Sequence, residues 1–483
     1  MLSEADIERA GGVTSPRLVR SLSDDQLIRE GVLPPNFREF PLGDGEHYGQ
    51  VATNCRIATA QSTDGLFSTF SHNRHTLRAD VTEIAIVLPN WFANRNGDKW
   101  ETGIQSGVVA SVGIQFPAGT IKTLGFGGAA QGGMAAGGQI CTNFIKVSDL
   151  TNGASEVLPA GTEIETRIAL YGSVGYAHAN FRQNQYATFP EGSTASGGTG
   201  TPARVPDLTR RFATVATDPP PRSVGTWPVG IIARTTHPGV LIIGDSINEG
   251  TGDIYAAEDA VDKGFGLVGR AVAPTHAYIS AAMAGDDIET ILQSHHKRLS
   301  LATYVKRIVF EHGVNSISGL AAVDPAIALA TMKTNMLALW RLGEKYSVNP
   351  DTRRFQTTLT PETTSTDNFA TANGQTARSG FSTSGNGVRE QLNDWLRDRA
   401  PLIGGAPAPA LTGASGAVRA GEAGHPLYGV FEVADQVETA RNSGRWKVDG
   451  TANKWTADGI HPTRYTNDSV ATSGAIDVER LAA

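Results

Sequence analysis

Two cysteines and five methionines are all the sulfur in 483 residues, and aromatic side chains make up only 7%. Cys55 and Cys141 lie far apart and form no disulfide framework; they can pair, or remain as two reduced buried thiols. No apolar run approaches the length of a membrane span. The opening residues, Met1-Leu2-Ser3-Glu4-Ala5-Asp6, have neither a basic n-region nor an apolar h-region, so no signal peptide is legible. That leaves a cytoplasmic chain, one exported by another route, or a trimmed one. Basic residues do not cluster and the net charge is −7, which argues against nucleic acid as a partner.

What is abundant is glycine, at 55, with 24 prolines. Many turns and β-rich structure follow. The length exceeds one ordinary core, so two domains are expected. Residues 1–35 read as a peripheral arm with short helical patterns such as Ser23-Asp24-Asp25-Gln26-Leu27-Ile28. From 36 to 235 β segments alternate with Gly and Pro. Val81 to Pro89, Gly107 to Phe116 and Ile164 to Tyr171 read as strands, which suggests an antiparallel sandwich. Val224 to Ile232 reads as its last strand, after a polar linker from Gln183 to Pro219.

Some features in this half invite too much. Gly125 to Gly138 is glycine-rich but fits neither the dinucleotide fingerprint nor the P-loop, and reads as a flexible loop. His72 and His75 lack the further ligands a metal site needs. Trp91 and Trp100 could stack on sugar rings, although core or hinge packing is the better reading of each. No repeat is present.

From residue 236 to 483 strands and helices alternate, as in a parallel α/β sheet. The expected strands are Val240 to Ile243, Ala277 to Ser280, Tyr304 to Phe310, Arg354 to Leu359 and Gly429 to Val433. The expected helices are Asp287 to His295, Asp324 to Leu342 (with Ile327, Met332, Met336 and Leu339 on its apolar side) and Arg389 to Arg397. Gly244-Asp245-Ser246 follows the first strand and precedes a helix. That puts a serine hydroxyl at the C-terminal edge of the sheet, where such sheets bind ligands. Free N–H groups at the helix start could stabilise an oxyanion there.

Three later stretches go with it: Ala284-Gly285-Asp286, His312-Gly313-Val314-Asn315 and Asp458-Gly459-Ile460-His461-Pro462. In order and spacing these four blocks resemble those of the SGNH (GDSL-type) hydrolase family, over about residues 239–467. The resemblance implies an α/β fold with a flavodoxin-like, three-layer parallel sheet. The β segments around Thr82-Glu83-Ile84 and Asn90-Trp91-Phe92 are loosely similar to accessory β domains of that family. The implied triad is Ser246 as nucleophile, His461 as base and Asp458 orienting it. The implied oxyanion donors are Ser246, Gly285 and Asn315. Ser316 stands where the family usually has an acidic residue. His312, beside the third block, either touches substrate or is simply packed. There is no Gly-x-Ser-x-Gly elbow.

The expected activity is hydrolysis of small acyl esters, foremost O-acetyl groups on carbohydrates, without metal or organic cofactor. The β domain is expected to contribute to the alcohol side of the cleft. The rival readings are a general short-chain carboxylesterase or lipase, and a non-catalytic carbohydrate-binding surface protein. Neither nucleic acid nor a membrane is expected as a partner, and oligomeric state is not legible.

Overall fold

The computed structural model describes residues 23–62, 67–105, 107–172, 176–180, 208, 224–253, 263–409 and 415–482. The linker from Gln183 to Pro219 thus lies, Leu208 apart, outside the described residues, as does most of the N-terminal arm. Within that arm Asp24–Arg29 is helical, with Ser23 and Gln26 forming a capping box.

The C-terminal half is built on a six-stranded parallel sheet. Its order is Cys55–Arg56, Tyr278–Ser280, Val240–Ile243, Arg307–Phe310, Arg353–Thr357 and Gly429–Phe431. Counted from residue 236, the strands run 2-1-3-4-5, the doubly wound order with its switch point between the first and third. Val240–Ile243 and Arg307–Phe310 are buried at every position, as strands covered on both faces are. Helix Leu267–Val272 packs with Arg464–Ser473, and Pro325–Tyr346 packs with Ile288–Gln293 and Val388–Arg397. The long helix starts one residue after Asp324, whose carboxylate caps it, and puts proline at its first position. Ile327, expected on its apolar side, is instead 60% exposed, because the first turn runs past the edge of the packing surface.

The N-terminal half carries two five-stranded antiparallel sheets. The first runs His47–Gln50, Gly230–Thr235, Glu83–Pro89, Gln139–Cys141, with Ile145–Lys146 also on Glu83–Pro89. The second runs Gly132–Met134, Val108–Gln115, Glu163–Gly172, Phe67–Thr76, with Ile121–Leu124 also on Val108–Gln115. The expected strand over Val224 to Ile232 is two pieces, Val224–Gly225 and Gly230–Thr235, in different sheets. The glycine-rich stretch is not all loop, since Gly132–Met134 pairs with Val108–Ala110.

Two of the elements that tie the halves together bear on the site. Cys55–Arg56 is the edge strand of the parallel sheet, beside Tyr278–Ser280. The hairpin Trp91–Ala93/Glu101–Gly103 reaches the loop that follows Tyr278–Ser280. Trp91 is buried at 2% exposure, so it packs in the core and cannot stack on a sugar; Trp100 is 48% exposed. His72 pairs with Glu165, and His75 bonds the Thr53 carbonyl and Thr166 Oγ1. Cys55 and Cys141 are unpaired thiols, both buried, and burial pushes Cys55 up to about 12. Among the described residues no helix is long and apolar enough to cross a membrane.

Candidate active site

Ser246 follows the central strand Val240–Ile243 at the switch point. Gly244 is required there: a Cβ would come within 2.7 Å of both Asn248 Nδ2 and Glu311 Oε2. Asp245 caps the short helix Ser246–Glu249 by accepting the Ile247 N–H at 2.9 Å. Its own N–H donates to Glu311 at 3.2 Å. Burial, with Asp245 beside it, drives the Glu311 carboxyl well above the ordinary carboxylate range. Burial raises Asp245 as well.

His461 is set by the turn that holds it. The Asp458 carboxylate accepts the N–H groups of Ile460 at 2.9 Å and His461 at 2.8 Å. Gly459 turns at φ +81, where any Cβ would strike the Thr363 carbonyl at 1.8 Å. The other Asp458 oxygen meets His461 Nδ1 at 2.6 Å, and His461 Nε2 lies 2.8 Å from Ser246 Oγ. Desolvation works against the Asp458 charge. The hydrogen bonds from the His461 ring and backbone outweigh it and hold this carboxyl far below its ordinary range. An ionised carboxylate on Nδ1 selects the tautomer that leaves Nε2 free to accept a proton.

Gly285 and Asn315 flank the serine from the neighbouring strands. Gly285 has φ +77, in the left-handed region. The N–H groups around it are spoken for: Ala284 donates to Glu249 at 2.7 Å and Asp286 to the Met283 carbonyl at 3.1 Å. Among the described residues, the Ser246 and Gly285 N–H groups have no acceptor. Asn315 Nδ2 donates to the Asp286 carbonyl at 2.7 Å and, less tightly, to the Asp245 carboxylate at 3.3 Å. His312 is fully buried and bonds Asp286 at 2.8 Å, so it is a packed histidine and not a substrate contact. Ser316 donates to Glu289 at 2.9 Å and accepts the Ile288 N–H, which brings an acidic side chain to the third block indirectly.

Residues missed in the sequence hold this assembly. Glu249, three places after Ser246, is 4% exposed and takes Arg95 at 3.1 Å, with Arg56 at 3.9 Å. Glu101 accepts the N–H groups of Lys297 and Arg298, and Arg298 pairs with Asp286. Arg298 and His312 overcome the burial of Asp286 and keep its carboxyl below the ordinary range. Only the position of Glu249, one turn from the serine, could have pointed to any of these.

Neither the scan of protein-family models nor the search of curated proteins gives a match. Among solved structures the chain is similar to GDSL-type hydrolases. A GDSL-like lipase from Bacteroides thetaiotaomicron is 13% identical, covering 50% of this chain and 88% of its own, at a TM-score of 0.29. A peptidoglycan O-acetylesterase is 10% identical over 95% of this chain and 86% of its own, at 0.34. An acetyl xylan esterase from the rumen bacterium Butyrivibrio proteoclasticus is 12% identical over 90% and 98%, at 0.29.

Proposed function

We propose that the chain is a serine esterase cleaving small acyl esters, with acetyl groups on carbohydrate hydroxyls as the favoured class. The observation that carries it is the hydrogen-bonded line Asp458–His461–Ser246 beside two N–H groups without acceptors. Ser246 Oγ attacks the acyl carbon while His461 Nε2 takes its proton. The carbonyl oxygen becomes an oxyanion facing the Ser246 and Gly285 N–H groups. Asn315 joins them by exchanging its longer bond to Asp245. The intermediate collapses, the imidazolium returns the proton to the departing alcohol oxygen, and an acyl-serine remains. Water then attacks with the same base, releasing the acid and Ser246.

The acyl group is small in this reading, with His461, which bonds Ser246, and Asp245 and Asn315, which bond each other, as polar neighbours of the serine. A long acyl chain needs apolar surface, at about 0.8 kcal/mol per methylene. The two antiparallel sheets are read as a sandwich, since Ile84, Ile86 and Leu88 of one share a buried cluster with Val112, Ile114 and Ile168 of the other. The test is Ser246→Ala together with a serine-directed fluorophosphonate. Acetate ester hydrolysis should vanish in the variant, and the reagent should label Ser246 alone. Labelling elsewhere, with Ser246→Ala still active, removes the proposal.

A further inference from the structure

We propose that Lys99 forms an anion-recognising subsite beside Gly285, so that the esters cleaved best carry a negative charge on the alcohol half. The inference rests on the esterase reading and names its substrate class further. Lys99 sits at the tip of the hairpin Trp91–Ala93/Glu101–Gly103. Its ammonium lies 3.0 Å from where a Cβ on Gly285 would stand. It therefore stands over the loop whose N–H would face the oxyanion.

The hairpin is held rigidly at that place. On one side Arg95 pairs with Glu249, which also accepts the N–H of Ala284. On the other, Glu101 holds Arg298, which pairs with Asp286. The two clamps grip the residues on either side of Gly285, and Lys99 lies between them in the hairpin. A side chain placed this firmly presents its charge without first ordering itself.

The tip is closed mainly by bonds that do not involve the Lys99 side chain, to which that side chain adds one, on the Arg95 carbonyl. The turn is closed by the N–H groups of Gly97 and Lys99 on the Asn94 carbonyl, and by Asn94 Nδ2 on Asp98. Lys99 holds φ +69, a conformation costly for a side chain with a Cβ and common at functional positions. Its ammonium donates to the Arg95 carbonyl and, among the described residues, has no carboxylate partner. Arg95, by contrast, is matched by Glu249. Two ammonium hydrogens thus remain for a ligand. Hydrolysis of a neutral ester gives that cation no charge to meet in the ground state. A carboxylate on the substrate does, and an acetyl group has no room for one, so it belongs to the alcohol half.

The experiment uses one acetylated hexuronic acid and its methyl ester, which differ in the carboxylate charge and one methyl group, and follows the release of acetate alone. The readout is the ratio of their kcat/KM values in the full chain. We expect a preference for the free acid of roughly tenfold or more, the scale of one charge-assisted hydrogen bond. Lys99→Met should bring the ratio near one, Lys99→Arg should keep most of it, and high salt should compress it. A wild-type ratio near one overturns the proposal. So does a Lys99→Met variant that keeps the ratio, or one that loses both substrates equally, which would assign Lys99 to the oxyanion or to the turn. Should the wild type cleave no ester at all, the esterase reading fails by itself. Calorimetric titration of the deacetylated hexuronate and its methyl ester then decides the subsite, and equal binding of the two overturns it.

Discussion

Glu249→Ala cuts the joint between the Ser246 helix, the Gly285 loop and the hairpin of the N-terminal half. The side chain accepts the Ala284 N–H at 2.7 Å and pairs with Arg95 at 3.1 Å, with Arg56 at 3.9 Å. The Arg95 side chain is only 11% exposed, so its guanidinium would be left largely desolvated. Breaking a buried pair from one side costs about 3–5 kcal/mol. The unfolding entropy is roughly 2.1 cal/mol/K per residue, hence about 1 kcal/mol/K for a chain of this size. The apparent Tm should therefore fall by about 3–5 °C. Turnover should fall further than stability suggests. Releasing the Ala284 N–H lets the Gly285 donor drift, and one lost oxyanion donor costs about 10²–10³ in kcat. Glu249→Gln separates the two effects. It keeps an oxygen for Ala284 but not the charge, so it should lose Tm and keep most of kcat. Adding Arg95→Met to Glu249→Ala should recover part of the Tm and none of the rate. Calorimetry and acetate ester kinetics read both quantities. A Glu249→Ala variant with wild-type kcat would refute the claim that this carboxylate holds the proposed oxyanion donor at Gly285.

Asp458→Asn should lower kcat by about 10⁴ with little change in Tm, by analogy with the serine protease triad; steady-state kinetics with near wild-type turnover would mean another group orients His461. Acid should destabilise the fold. Burial pulls His47, His75, His276 and His295 from 6.5 to about 4, so between those values the unfolded chain binds protons that the folded one refuses. Stability then falls as pH drops through that window, by up to about 1.4 kcal/mol per pH unit for each histidine. A urea midpoint constant from pH 7 to 4.5 would contradict it.

The parallel sheet was legible because Val240–Ile243 and Arg307–Phe310 are buried on both faces, and such strands read as continuous apolar runs. The blocks at Ser246, Gly285, Asn315 and His461 were legible for another reason. Each needs a glycine, an Asx side chain or a turn at a fixed offset, and those demands are local. Cys55–Arg56 shows the opposite case. Two residues carry no period, and their place in the sheet depends on Tyr278–Ser280, more than two hundred positions on. The hairpin that carries Arg95, Lys99 and Glu101 was equally silent, because its charges find their partners only in the other half. Trp91 and Trp100 look alike in sequence and separate only by packing, one in the core and one at the surface.

That dependence leads to a last prediction, on residues 236–483 produced alone. Such a piece lacks Cys55–Arg56, and with it the neighbour covering one edge of Tyr278–Ser280. It also lacks Asn54, which accepts the Tyr278 hydroxyl at 2.7 Å. An open edge is a template for association. Glu249 would lose both guanidinium partners, and the N–H groups of Lys297 and Arg298 would lose Glu101. Those losses fall on the Gly285 loop from both sides. The isolated piece should therefore aggregate or unfold at lower urea than the full chain, and should lose hydrolysis of a plain chromogenic acetate as completely as that of an acetylated glycan. Sedimentation, a urea titration and the two assays decide it. A monomeric 236–483 that keeps full turnover on the chromogenic ester and fails only on the glycan would show that the N-terminal half touches substrate without holding the Gly285 loop. The clamps at Glu249 and Arg298 would then be incidental contacts.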